Sequence, residues 1–377
     1  MTDDPRLFSD TPEEKFLLVK NDMETTEDFC PIAIYVNKGD QLLHILLGNF
    51  PAPDVESEKQ AGNLRENSRS RLLELIESRK VRKMKITSDN FNYDDKPSLS
   101  FLLNLLLNIE KTKEFEFLAQ DEREILVQPL SVLMYAALKD SSKMRKIALN
   151  LSYYDFPRRD FIKVLGNALS GAPKLQELAL ETHVKTIPFA RIFNGLMNGR
   201  REWTKSLQRL GINCYNFNRK TTFLEIFYSF PNLKHLRLIA HKIKINDKIL
   251  LRTLDDPTMI QKFETLGLSL RNCNITNYAV SQFFRRDFEN LRELKLEFGG
   301  SSITDEAFDG IVYHGMKNFN PAINLEFDLQ DTKATQKCYR TIKYFLNLRL
   351  NGPDDDGEAS VRVLRRRNDY EKMSDHV

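Results

Sequence analysis

Nine times in this chain an apolar triplet of the form Φ-x-x-Φ-x-Φ recurs, its first positions 26 to 32 residues apart. The triplets are Val81/Met84/Ile86, Thr112/Phe115/Phe117, Met144/Ile147/Leu149, Leu175/Leu178/Leu180 and Leu207/Leu210/Ile212, then Leu233/Leu236/Leu238, Phe263/Leu266/Leu268, Leu291/Leu294/Leu296 and Ala322/Leu325/Phe327. Alternation at the end of each triplet has the period of a strand that buries one face. A period near thirty residues marks a stack of supersecondary units, none of which can bury its apolar face alone. Each unit must lean on the next, which restricts the chain to a repeat architecture presenting a long surface.

Between the triplets lie segments of helical period. Ser98–Thr112 places Leu99, Leu102, Leu103, Leu106 and Leu107 on one stripe, and 127–142, 159–170, 189–200, 221–230, 279–288 and 307–319 read the same way. Ser98, Thr276 with Asn277, and Thr304 with Asp305 and Glu306 are candidate helix starts, while Gly171-Ala-Pro173, Pro231 and Pro321 interrupt the helices before the next strand. Strands joined through helices must run parallel in one sheet. The expected fold is an α/β solenoid of right-handed βα repeats, with a parallel sheet on the concave face and helices on the convex face.

Leu233-Lys-His-Leu236-Arg-Leu238, Leu291-Arg-Glu-Leu294-Lys-Leu296 followed by Ile303-Thr304-Asp305, and Leu268-Ser-Leu270-Arg-Asn-Cys273-Asn-Ile275-Thr276 carry a resemblance. In these residues the chain resembles the leucine-rich repeat family in its longer, ribonuclease-inhibitor-like form. The last two segments are similar to the cysteine-containing repeats of F-box substrate receptors, although no F-box is recognisable before the repeats. The resemblance implies a non-catalytic protein-binding module. More narrowly, it implies a substrate-recognition subunit of a ubiquitin ligase, with cullin-ligase components among its partners. An enzyme inhibitor or regulatory scaffold of the ribonuclease-inhibitor kind is the alternative, and an enzyme with an unrecognised site a remote one. The family's Asn or Cys at the turn after the strand is replaced here by Asp89, Gln120, Ser152 and His183. The Phe263 repeat allows two registers offset by two residues.

Around the repeats, expected at 71–345, the chain divides further. Residues 1–30 carry nine acidic and three basic side chains and read as a flexible arm. Residues 31–50 read as a β-hairpin capping the first repeat, 51–70 as a linker, 346–364 as a C-terminal hairpin cap and 365–377 as a polar tail. An apolar fraction of 41% suffices for a core, and a net charge of +3 gives no reason to expect nucleic acid as partner. No apolar run approaches the ~20 residues a membrane span needs, and the N-terminus lacks the pattern of a secretory signal. Cys30, Cys214, Cys273 and Cys338 are scattered without metal-binding spacing and are expected reduced, in the cytoplasm or nucleus.

No phosphate-binding glycine loop, zinc-protease helix or nucleophile elbow occurs, so no catalytic residue, cofactor or metal is expected. The Asp354-Asp355-Asp356-Gly357 stretch lacks the alternating ligands of a calcium loop and reads as a hairpin tip. Ser98-Leu99…Leu103…Leu107 has the look of an elongin-binding box but is explained as a repeat helix. The candidate binding residues are those alternating with the buried ones on the concave face: Lys85, Glu116, Ala148, Ala179, Gly211, Arg237, Gly267 and Lys295, with Asn150, Glu181, Asn213, Ile239 and Glu297 one position outward. Ser269 and Asp328 belong to the same outward row. Small residues in the middle of this array either admit a partner, which charges on its flanks would orient, or only relieve crowding on a tightly curved sheet.

Overall fold

The structure, a computed structural model, describes residues 13–18, 32–37, 41–48, 81–89, 96–108, 112–119, 127–138, 141–150, 159–181, 197, 202–214, 228–240, 246–254, 260–311, 314, 319, 323–338, 340–342 and 361–364. Two compact units form, Met1–Val184 with Asn194–Ser206, and Lys185–Phe193 with Leu207–Val377. Each is α/β with an open, mostly parallel sheet.

In the first unit β1 (Glu13–Leu18), β2 (Ile32–Asn37), β3 (Leu42–Gly48), β4 (Lys83–Asp89), β5 (Glu114–Ala119), β6 (Lys146–Asn150) and β7 (Glu177–Glu181) lie side by side in chain order. From β3 onward the pairing is parallel, and the connections from β4 to β7 run through helices: α1 (Lys96–Asn108), α2 (Val127–Leu138) and α3 (Arg159–Ser170). A short helix, α4 (Glu202–Ser206), completes the unit around the fully buried Trp203.

The second unit contains β8 (Arg209–Cys214), β9 (His235–Ala240), β10 (Thr265–Ser269), β11 (Glu293–Glu297), β12 (Asn324–Asp328) and β13 (Val361–Leu364), all paired in parallel. Its described helices are α5 (Asp247–Leu254), α6 (Asn277–Phe284) and α7 (Glu306–Gly310). Leu210, Leu236, Leu266, Leu294 and Leu325 stand opposite one another in one row. That settles the register of the Phe263 repeat: Leu266 and Leu268 are its strand core. Behind this row Phe284 of α6 packs on Phe308 of α7 and Phe327 of β12, with Phe283, Phe288 and Phe319 completing an aromatic cluster at centroid spacings of 4.9–6.2 Å.

The repeats are tied at their strand starts by one recurring device. A single carbonyl accepts two consecutive N–H groups of the following strand: Arg82 from Lys113 and Glu114, Lys113 from Arg145 and Lys146, Arg145 from Gln176 and Glu177, at 2.7–3.1 Å. In the second unit Gln208, Lys234 and Glu264 do the same for His235, Thr265 and Glu293 and the residues before them. The third residue after the strand turns left-handed in three successive repeats, at Asn272, Gly300 and Asp331 (φ 56°, 71° and 59°). These residue types tolerate that conformation best.

Several expectations are corrected. Glu13–Leu18, read as part of a flexible arm, forms β1 and pairs antiparallel with β2, Glu13 opposite Asn37 and Leu18 opposite Ile32. The acidic count over thirty residues concealed the run Phe16-Leu-Leu18, and β2 otherwise has an edge of unpaired backbone groups. The cap is therefore a three-stranded meander, with β3 joined in parallel to β4. At the other end, Val361–Leu364 extends the parallel ladder from β12; its expected hairpin partner, 346–350, lies outside the described residues. So do the linker 51–70, the expected helix at 189–200 apart from Met197, residues 221–227, the aspartates 354–356 and the tail from 365. The apolar stripe of α1 is rotated from the expected one: Leu102, Leu105 and Leu106 are buried while Leu107 is 39% exposed. Ser98 sits in the first turn of that helix and does not precede it.

Candidate functional site

On each strand the residues between the buried ones form a second, half-exposed face. All thirteen candidate residues lie on it, divided between the two units. In the first, Lys85, Glu116, Ala148 and Ala179 are register partners in one row, with Asn150 and Glu181 in the next. Charged neighbours on adjacent strands are paired in alternation: Lys85 with Glu116 at 3.3 Å, Lys83 with Glu114 at 4.0 Å, and Lys146 with Glu177 at 2.9 Å. Cross-strand pairs of this exposure contribute roughly 0.2–1 kcal/mol each. The alanines leave the middle of the row low.

His44 of β3 lies at the start of that row, opposite Lys85. Its Nε2 is 3.1 Å from the Thr87 hydroxyl, and its ring lies 6.2 Å from that of Tyr35. Burial, and then the charge of Lys85, push its pKa down to about 4. The imidazole is neutral at neutral pH and belongs to the cap.

In the second unit the row is Gly211, Arg237, Gly267, Lys295 and Glu326, with Asn213, Ile239, Ser269, Glu297 and Asp328 beside it. Ser269 and Asp328 depart from expectation: both are buried, at 2% and 1% exposure. Arg271, which follows β10, reaches along this face to Asp328. Its Nε lies 3.3 Å from Glu297, and its terminal nitrogen pairs with Asp328, whose other oxygen accepts the Gln330 N–H at 3.0 Å. Gly299 permits that crossing, since a Cβ there would stand 3.2 Å from the Gln330 carbonyl and 3.5 Å from the Arg271 stem. Lys295 is shared between Glu326 at 2.8 Å and Glu297 at 3.6 Å. Strand alternation alone did not reveal Arg271, because it lies beyond the triplet in the turn.

His235 places Nδ1 3.0 Å from the Thr265 hydroxyl; His183 is outside the described residues. Cys273 and Cys338 are buried free thiols. Among the described residues no group of three or more His, Cys, Asp or Glu is placed to hold a metal ion, and no helix is long and apolar enough to cross a membrane.

What fold and face define is an α/β protein with an open, mostly parallel sheet, half exposed on one side. No protein-family model and no curated protein matches the chain. Solved structures similar to it include a structural-genomics crystal structure of a Bacteroides fragilis protein. That likeness has 14% identity and a TM-score of 0.37, and it covers 86% of this chain and 98% of that one.

Proposed function

We propose that the chain is a leucine-rich-repeat protein of the ribonuclease-inhibitor-like kind, acting as a non-catalytic module that binds a protein partner on the half-exposed strand face. One observation carries this. Ala148 and Ala179 in the row of one unit, and Gly211 and Gly267 in the row of the other, put nothing larger than a methyl group at these positions, while the remaining members of each row are charged. A low floor between charged walls lets a partner approach the strands and gives it an orientation. A standard interface needs roughly 800 Å² on each side, which several adjacent strands supply.

The test is capture of partners by the full chain, identified by mass spectrometry and repeated with variants. Ala179→Arg and Gly267→Leu are expected to reduce capture with little change in thermal stability, because both positions face away from the core. Arg252→Glu, on the exposed side of α5, is expected to change nothing. Loss of capture with Arg252→Glu but not with either strand variant assigns binding to the helical side and removes this reading.

The narrower assignment, a substrate-recognition subunit of a ubiquitin ligase in the cytoplasm or nucleus, is supported by the likeness of Ile303-Thr304-Asp305 and Cys273-Asn-Ile275-Thr276 to cysteine-containing repeats. Co-purification of cullin-ligase components tests it. Inhibition of a captured enzyme supports the inhibitor reading instead.

A further inference from the structure

Arg237 stands between two glycines. The parallel registers put Gly211 of β8 on one side of it and Gly267 of β10 on the other. A Cβ at Gly267 would lie 3.4 Å from the Arg237 Cγ, so the arginine stem runs along the glycine. Arg237 is exposed and, among the described residues, its guanidinium has no ion pair or hydrogen bond; the same holds for the exposed Arg209 of β8. Other cations of this face are engaged, Lys295 by Glu326 and Glu297, and Arg271 by Glu297 and Asp328.

We propose that this glycine-walled trough receives an acidic side chain from an extended segment of the protein partner, with Arg237 binding its carboxylate. The inference rests on the protein-binding reading above and names the partner's chemistry. A guanidinium can hold a carboxylate through two parallel N–H···O bonds; Gly267 accommodates the Arg237 stem, and the absence of a side chain at Gly211 leaves the other flank to the incoming chain. Arg209 adds attraction from the neighbouring strand. Glu293, exposed and without an ion pair among the described residues, lies on β11, two strands from Arg237, and repels an acidic segment from that side. The segment is thereby steered onto β8 and β9.

The experiment measures fluorescence anisotropy of a labelled, alternating glutamate–serine decapeptide titrated with the full chain, beside its lysine–serine counterpart. The acidic peptide is expected to bind more tightly than the basic one. Arg237→Gln is expected to weaken it roughly tenfold, the loss of one charge-assisted contact. Arg237→Lys should restore part of the affinity, and Arg252→Gln on α5, which removes the same charge elsewhere, should leave it unchanged. No binding of the acidic peptide, equal binding of both peptides, or equal losses with Arg237→Gln and Arg252→Gln overturns the inference. The two readings separate through captured partners. If Gly267→Leu blocks capture and Arg237→Gln does not, the strand face binds a partner of other chemistry and only the acidic assignment falls. If neither variant matters, the strand-face reading falls with it.

Discussion

Asp305, at the start of α7, accepts both the main-chain N–H and the hydroxyl of Thr335 in the following repeat, at 2.6 and 2.5 Å. Asp247 holds Thr276 in the same way at 2.8 and 2.5 Å, and Asn277 accepts the Thr304 N–H at 2.9 Å while donating to its hydroxyl. Thr276, expected from the sequence to start its own helix, makes no side-chain cap there, and neither does Asp305, which follows the expected start Thr304. They form a ladder between repeats instead.

Replacing Asp305 tests that ladder. Burial opposes its charge, but the hydrogen bonds from the Thr335 hydroxyl, the Thr335 N–H and the Cys338 N–H, helped by Lys337, outweigh it and hold its pKa below the usual carboxylate value. Its contribution is therefore present above the unfolded pKa and is lost as pH falls through the lower folded one. Asp305→Ala is expected to cost roughly 1–2 kcal/mol and to raise amide exchange at Thr335 and Cys338. Asp305→Asn should cost less, because Asn277 shows that an amide can serve in this position. Equal losses in urea denaturation would refute the ladder as the source of the effect.

Leu236 is 1% exposed in the middle of a row of leucines. Leu236→Ala is expected to cost ~2–5 kcal/mol, from lost burial and the cavity left behind. Hydrogen exchange should rise first in β8 and β10, the strands that flank it, because repeats contact their neighbours only. Uniform loosening of the whole second unit would show that its repeats unfold together.

Deleting residues 1–20 removes β1 and leaves the edge of β2 without a partner. Exchange at Ile32–Asn37 is then expected to rise while Met84 and Ile86 on β4, still covered by β3, remain protected. Deleting 1–50 should carry the increase into β4 and β5. If the shorter deletion leaves Ile32–Asn37 as protected as in the intact chain, β1 does not guard that edge.

His44 gives the first unit a pH dependence. The unfolded imidazole takes up a proton near its ordinary value of 6.5 and the folded one only at about 4. Between those values the unfolded state holds the extra proton, so stability is full above about 6.5 and falls as pH drops toward 4, by on the order of 2–3 kcal/mol. Thermal unfolding of His44→Gln should show a shallower acid slope than the unaltered chain. Identical slopes would place the imidazole in water.

Helix 159–170 begins and ends in the structure where its periodicity put it, and Leu236 and Leu294 are buried as their triplets require. These features are local: strand alternation and helical stripes are written in consecutive residues. Strand β1 was hidden because its reason for forming is the open edge of β2, which its own composition does not contain. The thirteen candidate residues could be placed on one type of face by counting from the buried leucines, yet Ser269 and Asp328 could not be recognised as covered. Asp328 is paired with Arg271, a residue outside the counted strand.

By itself the sequence determined the repeat, the order of strand and helix within it, and which side chains of each strand turn inward, because backbone geometry imposes those periods on any chain with this pattern. The tertiary structure alone decided which polar groups meet. Asp305 finds Thr335 thirty residues away, Arg271 crosses to Asp328, and Arg237 keeps two glycines beside it, all because parallel strands bring successive repeats into register at a spacing of about 4.8 Å. Partner choice across strands follows from that register, and no single repeat contains the information.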